Sequence, residues 1–246
     1  MLNSDEVKRI ALEVGFDDCG IARADALADE EYPLREWLRR GWHGGLDYMK
    51  RNVDKRMDPR LLVPGAKSVI CLVSAYPPPK SGVREAESGK VAAYAQHREY
   101  HKVIRDMLFA LKERLGIEGK CCCDTVPISD KHWAARAGLG WIGRHTLLVT
   151  ERWGSWVNLG EIVTTEECSE YSECHGCPDF CAKCGRCVEA CPNHAIAPDG
   201  PPMLDVSRCT AYYTTHQRRE IPATVDAHGY TMGCDICQLA CPFNAK

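Results

Sequence analysis

The sequence predicts a mixed α/β (α+β) domain over residues 1–165, followed over residues 166–246 by a small unit that folds around metal. Three observations carry this expectation. Apolar residues recur at helical spacing in the first two thirds of the chain, and short continuous apolar runs fall between those stretches. That periodicity stops after Thr165, where cysteine, proline, glycine and polar residues take over. Eleven of the sixteen cysteines lie between Cys168 and Cys241. A chain of 246 residues with 45% hydrophobic content can bury one sizeable core and still carry a smaller appended unit.

The first helix starts at Ser4, read as its N-cap, and places Val7, Ile10, Ala11 and Val14 on one face before Gly15. A second helix is expected over Tyr32 to Arg40, ending near Gly41, and the polar stretch from His43 to Arg60 reads as loop with a short helix. Ser68 to Tyr76 is an almost continuous apolar run bounded by Gly65 and Pro77 to Pro79, the pattern of a strand buried on both faces. Tyr100 to Leu115 sets Val103, Ile104, Met107, Leu108, Leu111 and Leu115 at helical spacing, with Lys112 and Arg114 suited to the last turn. Strands are expected at Cys121 to Val126, Trp141 to Val149 and Trp156 to Thr164, with a short helix over His132 to Ala137.

The net charge of -3 and pI near 6.3 exclude a global basic field, so any nucleic-acid contact must be a local patch. No run approaches the roughly 20 apolar residues of a spanning helix, and Met1 to Ile10 is charged rather than signal-like. A soluble, cytoplasmic, monomeric protein with no membrane contact is expected. Sixteen cysteines in such a compartment point to metal rather than disulfides, because cytosolic thiols stay reduced.

Cys181, Cys184, Cys187 and Cys191 are separated by two, two and three residues, and Pro192 follows the last. This is the bacterial ferredoxin run, in which three thiolates on a tight loop reach three corners of one 4Fe-4S cube and the fourth turns to another cube. Cys234, Cys237, Cys241 and Pro242 form the second half of a partner run, but Thr231 occupies its first position. Cys209 is the remaining cysteine between the runs. One cluster is then held by Cys181, Cys184, Cys187 and Cys241, the other by Cys191, Cys209, Cys234 and Cys237. Structural zinc also uses paired cysteines, although it has no need of the three-residue step before proline. Cys168, Cys174 and Cys177 belong to neither set and read as spare thiols, with a third metal site or an alternative ligand set with Cys181 as the alternatives. Cys121, Cys122 and Cys123 read as small apolar core residues.

Gly138, Gly140 and Gly143 match a dinucleotide-binding fingerprint. The stretch follows a helical HWAARA and leads into a strand, the reverse of the required order, so a tight turn is expected.

The blocks HGGLDYMKRN, KRMDPRLLVPGAKSVI, AYAQHREYHKVI, DTVPISDKHWAARAGLGWIGRHTLLV, WGSWVNLGEIVT and CGRCVEACP through YTMGCDICQLACPFN together resemble the epoxyqueuosine reductase family, nearly end to end. The resemblance implies a cobalamin held between the N-terminal domain and the cluster unit and reduced by the clusters with electrons from a low-potential donor. It implies reduction of the epoxide of epoxyqueuosine, in the anticodon loop of tRNA, to the alkene of queuosine. Asp124, in DTVPISDK, matches the family's proton donor; capping a turn is its plain alternative. Arg56, Tyr94, Asp124, Ser155, Asn158, Ser207, Thr210 and Asp235 fall in matching blocks as cobalamin contacts. Longer family members continue into a helical repeat region that helps hold tRNA, and this chain resembles a short form without it. Arg144-His145 stands where the family has lysine and asparagine. Two rival readings remain: a cobalamin and iron-sulfur reductase of another substrate, as in reductive dehalogenases, and a ferredoxin-like electron carrier.

Overall fold

The computed structural model describes residues 1–78, 84–86, 89–96, 99–174, 176–215 and 220–245. Along the chain come α1 (Ser4–Glu13), β1 (Asp18–Arg23), α2 (Ala28–Arg39), α3 (Val53–Met57), β2 (Ser68–Ala75), β3 (Arg84–Ala86) and β4 (Gly89–Val91). Next are α4 (Tyr100–Leu115), β5 (Lys120–Cys122), α5 (Asp130–Arg136), β6 (Trp141–Ile142), β7 (Leu148–Val149) and β8 (Val157–Thr164).

Four of these strands form an antiparallel sheet in the order β1-β2-β8-β5. Helices cover both faces, which is why β2 is apolar at nearly every position. One face presents Ile21, Ile70, Leu72 and Ile162 to Val7, Ile10 and Ala11 of α1 and to Ile104, Leu108 and Leu111 of α4. The other presents Val69, Cys71, Val73 and Val163 to Trp133, Ala134 and Ala137 of α5. Gly160 lets α4 lie close, because a Cβ there would stand 2.7 Å from Ile104 Cγ2. Gly20 does the same for α5, since its Cβ would meet the Ala137 carbonyl oxygen at 2.1 Å.

Several boundaries differ from expectation for local reasons. The cap of α1 is Asn3, whose side chain accepts from the Glu6 N–H at 3.0 Å. Ser4 is instead buried, and its hydroxyl donates to the Glu170 carbonyl at 2.8 Å. Helix α2 starts at Ala28 rather than Tyr32, with Asp29, Glu30 and Glu31 favouring its positive N-terminal end. The strand expected over Cys121 to Val126 stops at Cys122, because Asp124 adopts a left-handed backbone with φ 53°. The run from Trp141 to Val149 is a hairpin of two short strands, β6 and β7, and α5 begins at Asp130 rather than His132. Helix α4 falls where periodicity placed it, with Lys112 and Arg114 in its last turn, and Gly116 caps it. Pro79, read as part of a strand boundary, lies outside the described residues.

Beyond β8, residues 166–172 run back along the sheet domain. Leu2 bridges Cys168, and the Ile21 N–H donates to Ser172 Oγ at 3.0 Å. Short elements follow: α6 (Asp179–Cys184), α7 (Arg186–Ala190), α8 (Thr210–Thr215), β9 (Tyr230–Met232) and α9 (Ile236–Leu239). Helices α7 and α9 pack on one another, and β9 adds in parallel to β4, so the cluster unit extends a sheet begun by the first domain. The mixed α+β architecture with a double-cluster unit agrees with expectation.

Candidate functional site

The seven cysteines of the two runs, together with Cys209, gather into two groups. A small cavity is lined by Cys181, Cys184, Cys187 and Cys241, closed by Phe180, Phe243, His145 and Arg186. Burial pushes the Cys187 thiol up to about 11, with Cys181, Cys241 and Cys184 adding to the shift. In the second group burial raises Cys234 to about 12, with Cys209, Asp235 and Cys191 contributing. Cys237 is raised well above its ordinary value by burial and by Cys234, Cys209, Cys187 and Cys191. Four thiolates forced together in a buried place repel one another, and only a cation among them reverses that cost. The spacing explains the division. Cys187 and Cys191 sit four residues apart at α7, Cys237 and Cys241 four apart at α9, and each helix lends one thiol to either group.

A much larger cavity of about 700 Å³ lies between the sheet domain and the cluster unit. The first contributes Leu34, Trp37, Tyr48, Met49, Arg56, Tyr100, Asp124, Asp130, Lys131, Trp141, Asn158 and Leu159; the second contributes Cys174, Cys177, Met203, Leu204 and Val206. Two buried donors on its wall, Arg56 Nε and Trp141 Nε1, have no hydrogen-bond partner. An apolar enclosure with stranded donors suits a large ligand rimmed with acceptors. Trp141 also packs with Val149 and Phe243 against Cys181, so one indole separates this cavity from the first cysteine group.

Asp124 stands on the cavity wall at its left-handed turn, a conformation that aspartate tolerates better than most residues. Its carboxylate accepts from Tyr100 Oη at 2.5 Å and pairs with His101 Nε2 at 2.9 Å. His101 Nδ1 in turn meets Glu99 Oε1 at 2.5 Å. The Tyr100 phenol is pushed well up by burial and by its bond to Asp124, so it remains a donor. Lys131 is held on the same wall by its bond to the Thr146 carbonyl at 2.6 Å, and burial lowers it to about 8.

Of the eight residues expected around a cofactor, Arg56, Asp124 and Asn158 line this cavity. The other five have partners elsewhere. Ser155 Oγ donates to Gln238 Oε1 at 2.9 Å and its N–H to Asn244 Oδ1 at 2.6 Å, joining the two units. Asp235 accepts from the Ala93 N–H at 2.7 Å, and Tyr94 Oη lies 3.3 Å from Thr215 Oγ1. Thr210 bonds Asn193 and the Asp226 carbonyl, and Ser207 bonds Asp205, all within the cluster unit.

The glycine motif opens no helix. It carries the chain from α5 into β6, where a Cβ on Gly140 would stand 2.1 Å from the Val149 carbonyl oxygen. Cys122, Cys123 and Cys168 are buried in the sheet domain's core, while Cys174 and Cys177 are exposed.

Reading the sequence alone missed Tyr100, His101, Asp130 and Glu161. For Glu161 a signal existed, a carboxylate among Gly160, Ile162 and Val163 in a strand with helices on both sides.

Residues 56–130 match the family model described as epoxyqueuosine reductase QueG, DUF1730, and residues 180–244 match a 4Fe-4S double cluster binding domain. The epoxyqueuosine reductase of Leadbetterella byssophila is 39% identical over 249 residues, covering 98% of this chain and 80% of the relative. The chain belongs to the epoxyqueuosine reductase family. It therefore carries the double 4Fe-4S unit of an oxidoreductase. Among solved structures, an epoxyqueuosine reductase with a tRNA-Tyr epoxyqueuosine-modified stem loop superposes with a TM-score of 0.86 at 28% identity. That match covers 98% of this chain and 65% of the other, so the chain spans just under two thirds of that family member. The reductive dehalogenase NpRdhA, at 17% identity and a TM-score of 0.63 over 97% of this chain, shares the fold. No helix among the described residues is long and apolar enough to cross a membrane.

Proposed function

We propose that this protein reduces epoxyqueuosine in the anticodon loop of tRNA to queuosine, using cobalamin and two 4Fe-4S clusters. The observation that carries the reading is the large cavity between the two units, with Asp124 on its wall and Trp141 between it and the first cysteine group. Cys181, Cys184, Cys187 and Cys241 hold one cluster, and Cys191, Cys209, Cys234 and Cys237 the other. The division into residues 1–165 and 166–246 belongs to the same proposal, as do a cytoplasmic location, a monomeric state and a low-potential electron donor.

Arg56 and Asn158 bind the corrin from the sheet domain. Arg56 is suited to this because burial lowers its charge preference and leaves Nε free to donate to an amide oxygen. Tyr94, Ser155 and Asp235 act through the joint between the two units, and Ser207 and Thr210 through the internal bonding of the cluster unit. When bound, cobalamin supplies a strongly reducing cobalt centre. Asp124 holds a proton at its carboxyl oxygen for delivery to the epoxide oxygen. Tyr100 and His101 fix that carboxyl, and the half-exposed pair of His101 and Glu99 connects it to solvent for reloading.

The test is anaerobic reconstitution with iron and sulfide, titration with cobalamin, and incubation with epoxyqueuosine-containing tRNA and a low-potential reductant. Nucleoside analysis should show queuosine. Absence of cobalamin binding would leave an electron carrier, and binding without turnover would indicate another substrate. Asp124→Asn should retain cobalamin and iron and lose turnover by about 10²-fold or more; full turnover in that variant removes its role as acid.

A further inference from the structure

Behind Asp124 lies a second acidic group that the reading above does not use. Glu161, in the middle of β8, is completely buried and faces the α5 side of the sheet, flanked in register by Cys71 and Cys122. Asp130, the first residue of α5, lines the cavity and meets Glu161 from below. Neither oxygen of Glu161 nor Asp130 Oδ1 finds a hydrogen-bond donor. Two carboxyl groups in contact, with three of their four oxygens lacking a donor, are satisfied by a proton held between them.

We infer that Asp130 and Glu161 form a proton-sharing carboxyl pair, in which Asp130 is the second acid of the reaction and Glu161 the positioning residue that keeps it protonated. The inference rests on the proposed reduction of an epoxide. Converting an epoxide to an alkene breaks both carbon-oxygen bonds, consumes two electrons and two protons, and releases the oxygen as water. The electrons come from the low-potential donor through the clusters. Asp124 protonates the oxygen as the first bond opens. Asp130 gives the second proton as the resulting hydroxyl leaves as water, and the pair recovers its proton from solvent once product has left.

The surroundings favour the acid form. Burial, reinforced by Asp124, raises Asp130 to about 6, and burial and Asp130 hold Glu161 well above the usual carboxylate range. The ionisable groups around the pair are Asp124, Arg56, Lys131 and the thiols Cys71, Cys122 and Cys123. Arg56 and Lys131 are the cations among them, and burial weakens the charged form of each. A general acid works best when it still carries its proton near the operating pH, and burial of the pair favours that form.

Infrared spectra of the reconstituted protein, with glutamate and aspartate carboxyls labelled with carbon-13, test the pair without any substrate. At neutral pH the wild type should show the stretch of a protonated carboxylic acid, shifted in Asp130→Asn, where Glu161 stays buried without its partner, and lost in Glu161→Gln; its absence in the wild type overturns the pair. Kinetics then test the role. Asp130→Asn should lower turnover by about 10²-fold with cobalamin binding unchanged. Glu161→Gln should move the alkaline limb of kcat down by about one pH unit, a tenfold loss of protonated Asp130 on that side. Glu161→Asp should restore part of the limb. A limb that does not move in Glu161→Gln overturns the acid role. A wild type that shows the infrared signal but does not reduce epoxyqueuosine tRNA overturns both the reading and the acid role, and leaves the shared proton standing.

Discussion

The sheet domain and the cluster unit are both folded around buried small side chains, yet they are finished in opposite ways. In β2 the buried positions include Val69, Ile70, Leu72 and Val73, and helices supply matching apolar surface on both faces. In α7 and α9 the inward positions are cysteines, whose thiols are raised by burial and by one another. Apolar groups gain by leaving water, whereas a cluster of thiolates gains only by binding a cation. The sheet domain is thus complete as a polypeptide, and the unit that follows is completed by iron.

Removing iron is the largest perturbation of this contrast. Chelation under reducing conditions should abolish hydrogen-exchange protection across residues 179–191 and 230–241 while the amides of β2 and β8 stay protected. Equal loss in both regions would show that the sheet depends on the metal too. A smaller effect separates the two clusters. Cys209→Ala should lose about half of the iron, with one cluster's spectrum retained, whereas Cys174→Ala should keep both clusters; iron loss in the latter would redraw the ligand sets.

Leu72→Ala probes the other side of the contrast. It deletes a completely buried side chain between α1 and α4 and should cost about 2–5 kcal/mol in denaturant unfolding of the sheet domain, with iron per folded molecule unchanged. The joint between the two units responds least. Asn244→Ala removes the bonds that join Asn244 to Ser155, one from the Ser155 N–H and one to Ser155 Oγ, and should destabilise the docked arrangement by about 1 kcal/mol. Thermal melts that follow a label in each unit should then separate slightly, and an unchanged, single transition would mean that the remaining contacts, β4 with β9 and the Ser155–Gln238 and Ala93–Asp235 bonds, suffice to hold the units together.

How much could be read beforehand follows the same division. The helix from Tyr100 to Leu115 and the strand from Ser68 were legible because their burial is written as periodicity. The start of α2 at Ala28 was not, since its buried face is weak and its acidic first turn resembles a loop. Nor was the end of β5 before Asp124, where a left-handed residue, invisible in composition, turns the chain toward Tyr100 and His101.

What this sequence determined by itself is the cluster unit: spacings of two and three residues are local geometry, set by one loop and one turn of helix. The tertiary structure alone decided the rest of the site. Asp130 and Glu161 are thirty-one positions apart, and Asp124 lies twenty-four beyond Tyr100. No local pattern links such residues. They meet because β8 crosses between α4 and α5, so that a single strand turns Gly160 toward one helix and Glu161 toward the other.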